Sequence, residues 1–209
     1  MTSPPPHLAG RDLHLWRGER VLFSGLGFEA GAGCCVQVTG PNGAGKTSLL
    51  RALCGLLPFE QGSVLWRGAD VHADRYAFHA DIAYLGHDTG LKNDLDAVDN
   101  LYYEVGMRRA VTRDEAVAVL ERVGVARVMR QDIRNMSAGQ KRRVAFARVL
   151  LCAAPLWILD EPTSNLDVAG QALVSELIDA HVAAGGIAVV ATHQALALRA
   201  AALRPLVLG

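Results

Sequence analysis

The sequence predicts an α/β protein, with a mostly parallel sheet packed between helices and a ligand held at the carboxyl edge of the strands. Three stretches carry that expectation. The first is Gly40-Pro41-Asn42-Gly43-Ala44-Gly45-Lys46-Thr47, a G-x-x-x-x-G-K-S/T loop between an apolar run, Cys34 to Thr39, and a helical one, Ser48 to Leu57. The second is Leu156-Trp157-Ile158-Leu159-Asp160-Glu161, an apolar run that ends in two acids. The third is Ile187 to Thr192, β-branched and followed by His193. In open α/β sheets, ligands gather outside the carboxyl ends of the strands.

At 209 residues the chain is expected to form one α/β domain with room for a subdomain, with a full core and no need of staples. The formal charge is zero and no basic stripe appears, so nucleic acid is not expected as a partner. Cys34, Cys35, Cys54 and Cys152 sit in apolar runs with no C-x-x-C pair, which predicts buried reduced thiols. Met1 to Gly10 is Pro-rich and lacks the apolar core of a signal peptide. The apolar run Val149 to Leu159 is interrupted by Pro155, whereas a spanning helix needs about 20 apolar residues. Membrane contact is therefore expected only through a partner.

In chain order, residues 11–39 read as β-rich, with Val21, Leu22, Phe23 and Phe28 alternating with small or polar residues. Trp16 precedes the glycine-rich loop by two dozen residues, and either stacks on a purine base or is a half-exposed strand aromatic. In the loop, Gly40, Gly43 and Gly45 let backbone N–H groups approach a polyphosphate. Lys46 is placed to reach β/γ-phosphates, Thr47 to hold Mg²⁺, and Ser48 to extend the cradle into the helix N-terminus. Leu49, Leu50, Leu53 and Leu57 give that helix its apolar face. Gly62 to Gly68 reads as a short strand, and Ile82 to Leu85 as a buried one leading into Gly86-His87-Asp88-Thr89-Gly90.

Residues 92–135 change character. Val98, Leu101, Tyr102 and Val105, then Ala116, Val119, Leu120 and Val123, recur at helical spacing and predict an all-helical insert. Ser137 and Gln140 have capping-box spacing and start another helix, followed by Lys141-Arg142-Arg143 and the stripe Val144, Ala147, Leu151. Asp160 suits the outer sphere of Mg²⁺, and Glu161 suits a general base for water attacking a γ-phosphate. After the loop Pro162 to Asp167, a helix is expected over Val168 to Ala184, with Leu173, Leu177 and Ile178 on its core face. His193 follows a buried strand and is expected at the same edge as Asp160 and Glu161. His181 is read as structural, and His7, His14, His72 and His79 form no constellation.

Taken together, Gly40–Thr47, Ser137-Ala138-Gly139-Gln140, Leu156–Glu161, Ser164–Asp167 and His193 resemble, in order and spacing, the nucleotide-binding subunit of an ABC transporter. The resemblance implies a phosphate-loop NTPase of the ABC ATPase type. Its mostly parallel core and antiparallel β subdomain would span about residues 1–91 and 153–209, with a helical signature subdomain over about 92–152. It also implies ATP and Mg²⁺ as cofactors, and a head-to-tail homodimer that closes on ATP. In that dimer Ser137, Ala138, Gly139 and Gln140 would face the partner's ATP, and Asp167 would lie at the seam. His193 would contact the γ-phosphate.

Leu22-Phe23-Ser24-Gly25-Leu26, His87 with Thr89-Gly90-Leu91-Lys92, Leu156 to Pro162, and Thr192-His193-Gln194 together look like the ATP-binding subunit of the bacterial haem exporter of cytochrome c maturation. That implies a membrane-spanning partner at the cytoplasmic face of the inner membrane. Two departures from the wider family stand out. Ala138 replaces a Gly, and His87, beside Asp88, stands where a metal-ligating Gln is usual. Two other readings stay open on these residues: an ABC-type ATPase without a membrane partner, serving an assembly pathway such as iron–sulfur assembly, and a transporter subunit for another substrate. A DNA-repair or translation role is disfavoured by the single cassette and the lack of basic excess.

Overall fold

The computed structural model of the chain describes residues 7–193, 198–199 and 202–209. Gln194, part of the His193 motif, and the first six residues of the Pro-rich N-terminus lie outside the described residues.

Strands β1 (His7–Arg17), β2 (Arg20–Gly31), β4 (Gln61–Trp66) and β5 (Ala69–Asp70) form an antiparallel sheet in the order β2-β1-β4-β5. Strands β3 (Cys34–Thr39), β6 (Ile82–Leu85), β7 (Leu156–Asp160), β8 (Ile187–Ala191) and β9 (Ala202–Val207) form a second sheet, β6-β7-β8-β3-β9, whose pairs are all parallel. The expected run over residues 11–39 is thus β1 to β3, with the first strand starting earlier, at His7.

The parallel sheet lies between two cores, and its side chains alternate between them. Ile158, Val189 and Val36 pack with α1 (Lys46–Leu53) and the antiparallel sheet. Trp157, Leu159, Val190 and Cys35 pack with α3 (Ala97–Gly106), α4 (Arg113–Arg122), α5 (Ala138–Cys152) and α6 (Val168–Ala183) on the other face. Burial on both faces is why β7 and β8 read as unbroken apolar runs rather than as alternating ones. On α1, Leu49, Leu50 and Leu53 are fully buried, each worth about 1.5–3 kcal/mol of transfer free energy.

The first helix starts at Lys46 and stops at Leu53, four residues short of the expected Leu57, because Gly55 turns the chain at φ +72. The insert is helical in α3 and α4, but it also holds a 3-10 turn, Ile133–Asn135, and an isolated bridge between Asp96 and Asp132. Helix α2 (Arg75–Ala80) and strand β9 were not expected from sequence. All four thiols are free; Cys34, Cys35 and Cys54 are buried, and Cys152 is partly so. Burial pushes the Cys35 and Cys54 thiols up to about 12, far from the reactive thiolate range.

Candidate active site

The glycine-rich loop joins β3 to α1, and two of its glycines are irreplaceable on geometric grounds. Gly40 has φ +147, and a Cβ there would lie 2.2 Å from the Leu208 carbonyl oxygen. Gly45 is the N-cap of α1 at φ +98, with Leu22 against the side a Cβ would occupy. Lys46 opens α1 and is 8% exposed. Its Nζ donates to the carbonyls of Gly40 (2.7 Å) and Pro41 (3.1 Å), which folds the ammonium back onto the loop. The N–H groups of the first helical turn have no intrahelical acceptor. Those groups, the helix dipole and the ammonium together make an anion site of the polyphosphate kind.

A cavity of about 490 Å³ opens beside the loop and brings Lys46, Thr47, His87, Asp160, Glu161 and His193 to one place. Asn42, Gly43, Gly45 and Ser48 line it as well. Six side chains singled out in sequence, from four separate segments, therefore border a single space at the carboxyl edge of the parallel sheet.

Two carboxylates end β7. Asp160 is 2% exposed, and its Oδ2 is buried with no hydrogen-bond partner. Glu161 has φ +48, an uncommon backbone state for a side-chain-bearing residue, which costs about 1–3 kcal/mol and persists only where its surroundings enforce it. They do: its N–H donates to the Ala191 carbonyl (2.8 Å), and its own carbonyl accepts from Arg142 Nη2 (2.8 Å). The result turns the side chain toward His193, with Oε1 3.5 Å from His193 Nε2 and otherwise without a partner.

Orphaned carboxylate oxygens beside a threonine hydroxyl are hard-cation chemistry. Mg²⁺ is held by one or two carboxylates plus substrate phosphates and water rather than by an all-protein cage. Asp160 and Thr47 fit that pattern, and among the described residues no cluster of three or more His, Cys, Asp or Glu forms a cage of its own. His87 borders the same cavity with its side chain exposed, while its carbonyl accepts from Arg142 (3.3 Å).

The Ser137 segment does not reach this cavity. Ser137 caps α5 in a full capping box: its Oγ accepts from the Gln140 N–H (3.2 Å), and Gln140 Oε1 accepts from the Ser137 N–H (2.8 Å). Ser137 and Ala138 are exposed. Gly139 lies so close to the 164–167 loop that a Cβ would stand 2.7 Å from the Asn165 carbonyl oxygen. Asp167 caps α6, accepting from the Gly170 N–H (2.9 Å) and Arg143 Nη2 (2.9 Å). Those hydrogen bonds, Gly170's first, hold its carboxyl below the usual value.

Trp16 lies outside the cavity lining. It is 51% exposed, and its backbone N–H donates to Glu60 Oε2 (3.0 Å). Neighbouring strand residues face opposite sides, and it is Arg17 that lines the cavity. Trp16 is thus a half-exposed aromatic on β1 that does not border the cavity.

Sequence reasoning passed over Arg142, the most deeply placed cation near the cavity at 2% exposed. Burial pushes its guanidinium below the usual range, partly offset by the nearby Asp160 and Glu161 charges. A signal was present: Arg142 shares helical spacing with Ala145, Phe146 and Val149, all buried, so it sits on a second core face of α5. His181 is structural as expected, stacked on Trp157 at 3.9 Å.

The family model described as ABC transporter matches residues 23–164. The chain is 45% identical over 193 residues, 92% of its length and 93% of the relative's, to the cytochrome c biogenesis ATP-binding export protein CcmA of Methylococcus capsulatus. It is 40% identical to the protein of the same name in Vibrio cholerae, covering 95% of this chain and 97% of that one. Among solved structures, the dimeric post-hydrolysis state of the ATP-binding cassette MJ0796, bound to ADP and Pi, shares the fold. Its TM-score is 0.79 at 22% identity, covering 90% of this chain and 88% of that one.

Proposed function

Because the chain belongs to the ABC transporter family of ATP-binding proteins, we propose that it hydrolyses ATP as the nucleotide-binding subunit of a complex for c-type cytochrome biogenesis. Its work would be done on a separate integral membrane subunit, with haem as the cargo. One observation carries the hydrolysis: a phosphate loop with its lysine folded in, an unpartnered buried Asp160 oxygen, and Glu161 beside His193 border one cavity. The name carried by the relatives supports the pathway.

In this reading Gly40 to Ser48 supply the backbone cradle, and Lys46 stabilises charge on the phosphoryl oxygens. Thr47 and Asp160, with His87 as a further contact, hold Mg²⁺, which neutralises phosphate charge when bound. Glu161 accepts the proton of the attacking water, and His193 orients Glu161 and touches the γ-phosphate. Ser137, Ala138, Gly139 and Gln140 serve the ATP of the opposite protomer across a head-to-tail homodimer, with Asp167 at the seam. The exposure of Ser137 and Ala138, and the absence of all four from the lining of their own chain's cavity, support that arrangement, as does the dimeric state of the MJ0796 cassette. Residues 1–91 and 153–209 act as the core, and residues 92–152 as the helical part that carries the signature. The export role in the relatives' name supports a place at the cytoplasmic face of the inner membrane, held there through the membrane partner; among the described residues no helix is long and apolar enough to cross a membrane.

The test is a haem-stained gel of c-type cytochromes from cells whose only copy carries Glu161→Gln. Loss of holo-cytochrome c, with the protein still in the membrane fraction, is the expected result. Normal cytochromes would contradict the pathway and leave the ATPase chemistry to be tested separately.

A further inference from the structure

Arg142 is buried and makes its hydrogen bonds to carbonyls at the ends of two adjacent strands. Nη1 donates to Gly86 (2.8 Å) and His87 (3.3 Å), just past β6; Nη2 donates to Asp160 and to Glu161 (2.8 Å), at the end of β7. These carbonyls lie beyond the last ladder pair, Leu85 with Leu159, and a planar fork of N–H donors spans them. Lysine, a single point donor on a flexible stem, cannot.

The same residue belongs to α5, five positions after Ser137, or about 7.5 Å along the axis. Glu161 is thereby held at two points on its backbone. Its N–H is fixed to Ala191 at the end of β8, and its carbonyl is fixed through Arg142 to the Ser137 helix. A shift of α5 pulls one point while the other stays, turning Glu161 about its Cα and moving the carboxylate relative to His193.

We infer that Arg142 is a positioning residue that couples the N-terminus of α5 to the general base, so that engagement of Ser137 is what aligns Glu161. This rests on the ATPase reading above. In the full chain, Arg142→Lys is expected to lower kcat about 100-fold, the loss that a misplacement of about 1 Å produces. KM for ATP and affinity for ADP should stay within about threefold, the pattern of an interaction made in the transition state. Combined with Ser137→Ala, the double variant should be no slower than the slower single variant, because both break one linkage.

Additive losses in that cycle, or an unchanged kcat in Arg142→Lys, would overturn the coupling. If Arg142→Lys fails to fold, Arg142→Gln carries the same measurements. Loss of ADP binding in both variants would also overturn it, since Arg142 would then build the phosphate site rather than aim Glu161. Absence of turnover in the unaltered chain contradicts the ATPase reading instead, which separates the two failures.

Discussion

Replacing Gly40 with alanine perturbs the first residue of the phosphate loop without touching any charge. Its φ of +147 is a backbone state for glycine, and a side chain there costs about 1–3 kcal/mol. The added Cβ would stand 2.2 Å from the Leu208 carbonyl oxygen and 3.3 Å from Ala44 Cβ. Restoring an ordinary contact of about 3.4 Å means a shift of about 1.2 Å, shared between the loop and the C-terminal segment. That segment is not loose: the Leu208 N–H donates to the Thr39 carbonyl (2.8 Å), and Leu208 is 2% exposed. A total cost of about 2–4 kcal/mol in a chain of this size lowers Tm by roughly 4–16 °C. The part of the shift taken by the loop misplaces the phosphates and lowers kcat/KM for ATP about 100-fold. Thermal unfolding and steady-state ATPase assays on Gly40→Ala read both numbers. A variant with wild-type Tm and turnover within twofold would refute the claim that this loop geometry is required.

Ser137→Ala removes the Oγ half of a capping box, leaving the backbone N–H of residue 137 to donate to Gln140 Oε1, and costs about 1 kcal/mol of stability. If Ser137 also serves ATP, hydrolysis falls at least about tenfold, with ADP binding unchanged. Proportionate small losses in all three quantities would leave it a helix cap alone. His181 gives a pH test. Burial against Trp157 pushes it below the ordinary histidine value of 6.5, with the Ile187 carbonyl opposing. The unfolded chain then binds a proton that the folded chain does not. The stability this residue contributes is therefore complete above about pH 6.5 and lost as pH falls toward its folded value. Urea midpoints at about pH 7.5 and about pH 5.5 should fall more for the wild type than for His181→Phe, which keeps the stack and drops the titration. Equal falls would contradict the assignment.

The features that were legible in sequence are those whose chemistry fixes the residue type. Gly40 and Gly45 occupy positions where no side chain fits, Asp160 and Glu161 end a short apolar run of the kind a doubly buried strand produces, and Ser137 with Gln140 is a cap read from spacing. What was missed lacked such a local signature. β9 carries Arg204 and Pro205 and exposes most of its residues, because it pairs on one side only, with β3; proline in a strand argues against that assignment unless the strand is an edge. α2 has six residues and buries only Phe78, too little for a periodicity. Arg142 is the exception: its helical spacing with Ala145, Phe146 and Val149 marked a buried face, but it stood in a basic triplet that reads as solvated, and its carbonyl partners at two strand ends leave no side-chain pattern.

The central claim is that the cavity at the carboxyl edge hydrolyses ATP with Glu161 as the base. Single-turnover ATP hydrolysis, comparing the wild type with Glu161→Gln at saturating ATP and Mg²⁺, tests it most directly. The amide preserves size but accepts no proton, so hydrolysis should fall about 10²–10⁴-fold. ATP affinity should hold, and an ATP-bound dimer should accumulate. Hydrolysis at the wild-type rate in Glu161→Gln would contradict it.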